Sequence, residues 1–160
     1  MSESVAVSAV RVAVVQFDPQ VGLQNTQTNL ENSLDLALQA VENGANLIVL
    51  PELTNTGYLF ANRQDAFDHA QSIPDGPSLQ AWIGFAHHHQ VYLVAGLVEQ
   101  DDMQLFDTAV LLGPDGYIGK YRKAHLWNQE KLWFTPGDIG FPVFETPIGR
   151  IGLLICWDIW

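Results

Sequence analysis

Hydrophobic and polar positions along the chain fall into segments of two periods. Residues 11–17 (RVAVVQF) are rich in β-branched side chains and predict a strand. Between about Thr26 and Asn43, Leu30, Leu34, Ala37, Leu38 and Val41 recur at helical spacing with Glu31 and Asp35 between them, and Gly44 is placed to end that helix. Residues 46–50 (NLIVL) are almost wholly apolar, which predicts a strand covered on both faces. The opening order is strand, helix, strand, that of a layered α/β fold. A loop follows over residues 51–65. The turn Pro74-Asp75-Gly76-Pro77 leads into a second helix over residues 78–89, and residues 91–98 (VYLVAGLV) predict a third strand. Residues 106–112 and 117–120 form a predicted hairpin across Gly113-Pro114-Asp115-Gly116. Residues 121–140 read as irregular and aromatic, and residues 141–145 and 150–155 as a last strand pair around Pro147-Ile148-Gly149. Two helices are thus left to cover a sheet of about six strands.

A chain of 160 residues can bury a sizeable core, and its 48% hydrophobic and 11% aromatic content exclude a disordered polypeptide. Residues 1–10 form a lead-in to a domain over residues 11–160. That lead-in has neither a basic region nor a long apolar core, so it does not read as a secretory signal. No apolar run approaches a membrane span. Net charge is −11, and only Lys120, Arg122 and Lys123 cluster among the basic residues, which argues against nucleic-acid or membrane partners. The single cysteine, Cys156, allows no internal disulfide and agrees with a reducing compartment, so the cytoplasm is expected.

Candidate chemistry gathers at strand ends. Cys156 follows the apolar run 151–155; it is either an inert buried thiol or a nucleophile, and partners decide which. Glu52, in Leu50-Pro51-Glu52, is a solvated acid at a strand exit or a general base at the carboxyl end of a strand, where α/β folds build sites. Lys123 is a loop lysine or a cation aimed at a developing oxyanion. Glu130 is solvated, paired with Lys131, or the group that orients Lys123 and balances its charge. His87-His88-His89 on a helix point in different directions and read as a helix end, not a metal site. There is no spaced Cys/His set, phosphate-cradling glycine loop or Gly-x-Ser-x-Gly elbow.

Leu50-Pro51-Glu52, Lys123-Ala124-His125-Leu126, Glu130 through Pro136-Gly137, and Ile155-Cys156-Trp157-Asp158 occur in this order, with Gly44 to Glu52, Gly57-Tyr58 and Asp115-Gly116 ahead of Tyr121-Arg122-Lys123. In these motifs the chain resembles the nitrilase superfamily of carbon–nitrogen hydrolases over residues 11–160. The resemblance implies an α/β fold, the four-layer α-β-β-α sandwich of that family, of which the chain would hold somewhat more than the first half. It implies a Glu52, Lys123, Cys156 triad of base, oxyanion stabiliser and nucleophile, with Glu130 in support and the Trp157 backbone N–H completing the oxyanion hole. Asp107 stands where the family usually has Asn, and relatives continue past the cysteine. The implied reaction is amide or N-carbamoyl hydrolysis through a Cys156 thioester, without metal or cofactor, on a small molecule, in a full-length protein that forms homo-oligomers. A nitrilase acting through a thioimidate, a glutaminase or acyltransferase relative, and a non-catalytic interaction fragment are the alternatives.

Overall fold

A computed structural model describes residues 9–160, so all but the end of the predicted lead-in lies outside the described residues. Five strands form one mixed sheet in the order β1 (Val12–Val14), β2 (Leu47–Val49), β3 (Tyr92–Asp101), β4 (Gln104–Gly113) and β5 (Gly116–Arg122). The first three run parallel, because helices cross between them; the last three are antiparallel and joined by tight turns. Helix α1 (Thr26–Glu42) buries Asn29, Leu30, Ser33 and Ala37, one face at helical spacing, and Gly44 at φ +80° supplies the left-handed residue that stops it. Helix α3 (Pro77–His89) starts on a proline and buries Leu79, Trp82 and Ala86. The two pack on one sheet face against Ile48, Leu93, Ala95, Leu97, Val110 and Leu112, and the fully buried Trp82 indole donates to Ser33 Oγ at 3.0 Å.

Alternation along β3 and β4 sends Val94, Ala109 and Leu111 to the opposite face. There they meet Leu153 and Ile155, together with Phe144 and Ile151 from a separate hairpin, β6 (Val143–Thr146) and β7 (Gly149–Gly152). A Cβ at Gly119 would meet the Phe144 ring at 2.2 Å, so this glycine lets the hairpin lie on β5. The described layers therefore run α, β, β, the order of the expected sandwich.

Four expectations are corrected. The strand over 46–50 is not covered on both faces: Ile48 is fully buried against the helices, while Leu47 and Val49 are half-buried because the hairpin lies over the β5 side of the sheet. The strand predicted over 150–155 ends at Gly152, opposite Val143 where its partner begins. Beyond it Leu153 and Ile155 stay buried while Leu154 is 51% exposed. The loop after Glu52 is a plug, with Leu53, Thr54, Asn55 and Thr56 fully buried, and it leads into an unpredicted helix, α2 (Arg63–His69). Asn62 accepts from the Asp65 N–H at 3.0 Å and Asp65 accepts from the Ala61 N–H at 2.8 Å, a reciprocal cap that starts this short helix. A further short helix, α4 (Glu130–Trp133), interrupts the segment read as irregular; Trp133 and Phe134 pack with Leu53, Phe60, Ala66 and Leu105.

Candidate active site

The site forms where β2, β4 and β5 deliver side chains to the edge of the hairpin-covered face. Glu52 leaves β2 beside β3, and Gly96 sets how close it comes. A Cβ there would lie 2.6 Å from Leu53 N and 2.8 Å from both Glu52 Cα and Pro51 O. Lys123 is the first residue past β5, and its N–H donates to Asp107 O at 2.9 Å, extending the β4–β5 ladder by one bond. Gly137 N donates to Lys123 O at 2.8 Å; a side chain at Gly137 would drive into Arg122 O, 2.0 Å from the Cβ position. Arg122 is itself clamped, bonded to Glu99, Asp101 and Asp138 and stacked 3.8 Å over the Phe106 ring.

Three carboxyl groups surround the fully buried Lys123 ammonium. Nζ donates to Glu52 Oε1 at 2.6 Å and to Glu130 Oε1 at 2.7 Å, and lies 3.6 Å from Asp107 Oδ2. One carboxyl oxygen each of Glu52, Asp107 and Glu130 lies within 4.8 Å of the other two, so they could hold a cation, and the cation among them is this lysine. Glu130 therefore pairs with Lys123 rather than with solvent or Lys131, and it also accepts the Tyr58 hydroxyl and, at 2.7 Å, the Trp127 N–H. Burial alone would make Lys123 easier to deprotonate, but the hydrogen-bonded Glu130 and Glu52 outweigh it and raise its pKa. Burial and the Glu130 carboxylate push the Tyr58 phenol upward, so Tyr58 stays a donor.

Cys156 opens a short 3-10 turn, Cys156–Ile159, with φ +47°. It lines a cleft of about 120 Å³ with Glu52, Val94, Gly96, Ala109 and Ile155. Cys156 is exposed, not buried as the apolar run also allowed. Burial of its surroundings and the Glu52 charge push its pKa up, while Lys123 and the Trp157 N–H pull it down. Cys156 is thus a thiol, not a thiolate, at neutral pH. The Trp157 indole stands 6.2 Å from that of Trp127 across the site.

Sequence reasoning gave Asp107 no role, although a carboxylate among the inward positions of β4, in line with Ala109 and Leu111, is itself a signal. Tyr58 was read only as part of a motif. Asp158, which accepts from Ile155 N, His125 N and Tyr121 OH, was likewise given no role, though its spacing from Ile155 is that of a capping acid. The histidines of α3 stay apart from the site: His87 Nδ1 lies 2.7 Å from Pro114 O and His89 packs on Phe85.

Comparison with known proteins matches residues 11–160 to the carbon–nitrogen hydrolase family. The chain is 44% identical to a nitrilase of Pyrococcus abyssi over 93% of its own length and 56% of the relative's. It is 33% identical to an N-carbamoylputrescine amidase of Solanum lycopersicum, over 94% of itself and 51% of that protein. The fold superposes on a carbon–nitrogen hydrolase from Helicobacter pylori with a TM-score of 0.82 and 29% identity, covering 94% of this chain and 53% of that one. The chain spans about half the length of the relatives it matches.

Proposed function

The chain belongs to the carbon–nitrogen hydrolase family of the nitrilase superfamily, and from that premise we propose that it carries the catalytic groups of an amidase acting on a small amide or N-carbamoyl compound. The observation that carries this reading is the buried Lys123 ammonium, held between Glu52 and Glu130 beside the cleft that Glu52 and Cys156 line.

Glu52 takes the proton of the Cys156 thiol as the sulfur attacks the carbonyl carbon. The charge that develops on the carbonyl oxygen is met by Lys123 and by the Trp157 N–H. These donors are fixed before reaction, and one such donor is worth roughly 3–4 kcal/mol. As the C–N bond breaks, Glu52 returns the proton to the leaving amine or ammonia. Water then gives its proton to Glu52 and attacks the thioester, and the departing sulfur recovers that proton. Glu130 keeps the Lys123 side chain aimed throughout. Side chains and water account for every proton in this sequence.

Identity to the P. abyssi nitrilase favours a second reading, attack of the same thiol on a nitrile to give a thioimidate. Ammonia release from simple amide, N-carbamoyl and nitrile substrates, by protein with and without Cys156→Ala, tests both. Release from amides that vanishes in the variant, with an acyl group trapped on Cys156 by mass spectrometry, is expected. Equal release by Cys156→Ala would overturn the assignment.

A further inference from the structure

We infer that Asp107 is a positioning residue held as a neutral carboxylic acid, whose O–H donates to the Glu52 carboxylate from beneath the site. Calling Glu52 the group positioned for catalysis rests on the hydrolase reading above; the proton on Asp107 does not.

The Asp107 side chain has no solvent exposure, and neither carboxyl oxygen has a hydrogen-bond partner. The nearest donor, Lys123 Nζ, spends two of its three hydrogens on other carboxylates and stands beyond hydrogen-bond distance of Asp107, at 3.6 Å. The Tyr58 hydroxyl and the Trp127 N–H go to Glu130. A carboxylate only accepts, so an ionised Asp107 would be left with two orphaned acceptors. It would also place a third negative charge around one ammonium, in a place water does not reach. One proton removes both problems, because it turns an Asp107 oxygen into a donor with a Glu52 oxygen in its neighbourhood. The groups facing Asp107 are Glu52 from the β2 exit, Lys123 from the end of β5 and Glu130 from α4, and the Tyr58 hydroxyl lies on Glu130. Burial, then Glu52 and Glu130, push the Asp107 acid well above the usual carboxylate range against the pull of Lys123. Glu52 and Glu130 hold Lys123 charged without a third carboxylate.

The proton leaves two marks that need no turnover. In the unfolded chain Asp107 ionises near the ordinary value of about 3.9, so in the folded state it binds a proton that the unfolded state has lost. Stability should therefore fall as pH rises from that value to the raised folded pKa. Asp107→Asn removes this dependence. Urea unfolding of the two proteins between pH 5 and pH 9 should show the variant gaining on wild type by up to about tenfold in folding constant per pH unit. A variant weakened equally at every pH would show that Asp107 is an ionised partner of Lys123 and overturn the inference; where the variant does not fold, the carbon NMR of the wild-type protein decides.

Carbon NMR of aspartate-labelled wild-type protein reads the proton directly. One side-chain carboxyl should keep the chemical shift of the protonated acid above the ordinary titration range, and its absence from Asp107→Asn would assign it. Titration of every aspartate in that range would overturn the inference. The positioning role is read by kcat: Asp107→Leu, which has no donor, should lose tenfold or more with KM little changed, and Asp107→Asn should recover most of that loss relative to Leu. Equal rates for Leu and Asn would overturn the positioning role. Wild-type protein without turnover would count against the hydrolase reading alone, since the two proton measurements stand apart from it.

Discussion

Asp158 ties the turn that carries Cys156 to the segment that carries Lys123: its Oδ1 accepts the His125 N–H at 2.9 Å and its Oδ2 accepts the Ile155 N–H at 3.0 Å. The Tyr121 hydroxyl donates to Oδ2 as well, at 2.9 Å, and itself accepts the Ala124 N–H at 3.1 Å. The proposed nucleophile and oxyanion donor thus share one carboxylate as their common fixture.

Removing that fixture should weaken the whole corner. Asp158→Ala orphans two backbone donors and a phenol, and is expected to cost about 1–3 kcal/mol in urea unfolding. Burial alone would raise the Asp158 pKa, but its backbone and tyrosine donors prevail and hold it below the ordinary carboxylate range. A depressed folded pKa means this stabilisation is fully present above about pH 4 and is lost as pH falls through the folded value. The stability difference between wild type and Asp158→Ala should therefore shrink on acidification below pH 4. A difference independent of pH would contradict the assignment of the donors.

Gly96 offers a sharper test of how the Glu52 exit is built. Gly96→Ala puts a methyl within 2.6–2.8 Å of the Pro51–Leu53 backbone, which cannot swing away as a side-chain end could. The expected loss is about 1–3 kcal/mol, with a fall in any turnover that depends on Glu52. Gly84→Ala is the control: nothing lies within 4 Å of its Cβ position in the middle of α3, so it should stabilise by roughly 0.5–1 kcal/mol. Thermal unfolding of both variants decides between crowding at Gly96 and a general glycine effect.

The helices and the β4–β5 hairpin were legible because their periods are long and their ends are punctuated by Gly44, Pro77 and the Pro114-Asp115 turn. Glu52 and Lys123 were legible as residues just past strands, whereas Cys156 was legible only through its motif, because the strand expected to carry it ends at Gly152. The fold does bring Glu52 to both Lys123 and the Cys156 cleft. What stayed hidden depends on distance along the chain. The crowding at Gly96 comes from residues about forty positions earlier and leaves no trace in an apolar strand sequence. The seven residues of α2 are too few to show a period, although the Asn62–Asp65 spacing carried its cap. The pairing of Glu130 with Lys123 rather than Lys131 is a matter of which way α4 faces, which composition cannot state.

Lys123 should prove costly to neutralise. Lys123→Met leaves Glu130 and Glu52 without their shared cation in a buried place, and a broken buried pair typically costs about 3–5 kcal/mol. The double variant Lys123→Met with Glu130→Gln should recover part of that loss, because one orphaned charge is gone while the Tyr58 and Trp127 donors keep an acceptor. A double-mutant cycle by urea denaturation measures the coupling. Strict additivity would mean that the two side chains do not share a charge in the folded protein.

Cys156 combines a left-handed backbone with a thiol that is harder to ionise than usual, and each property has its own readout. Non-glycine residues at φ near +47° carry strain of order 1–2 kcal/mol, so Cys156→Gly should be the more stable variant and Cys156→Ala the less stable, with both lacking the nucleophile. This order is opposite to that expected in an ordinary strand or helix, where alanine wins. The raised thiol pKa means that iodoacetamide should modify Cys156 slowly at neutral pH and progressively faster as pH rises past the ordinary thiol range. Glu52→Gln removes the negative charge that opposes thiolate formation, so its alkylation profile should move to lower pH while turnover falls. Lys123→Met removes the favourable cation, and its profile should move to higher pH. Alkylation rates followed by mass spectrometry across the pH range distinguish these shifts. Profiles that coincide in all three proteins would mean that Cys156 does not feel Glu52 or Lys123, and the proposed triad would have to be abandoned.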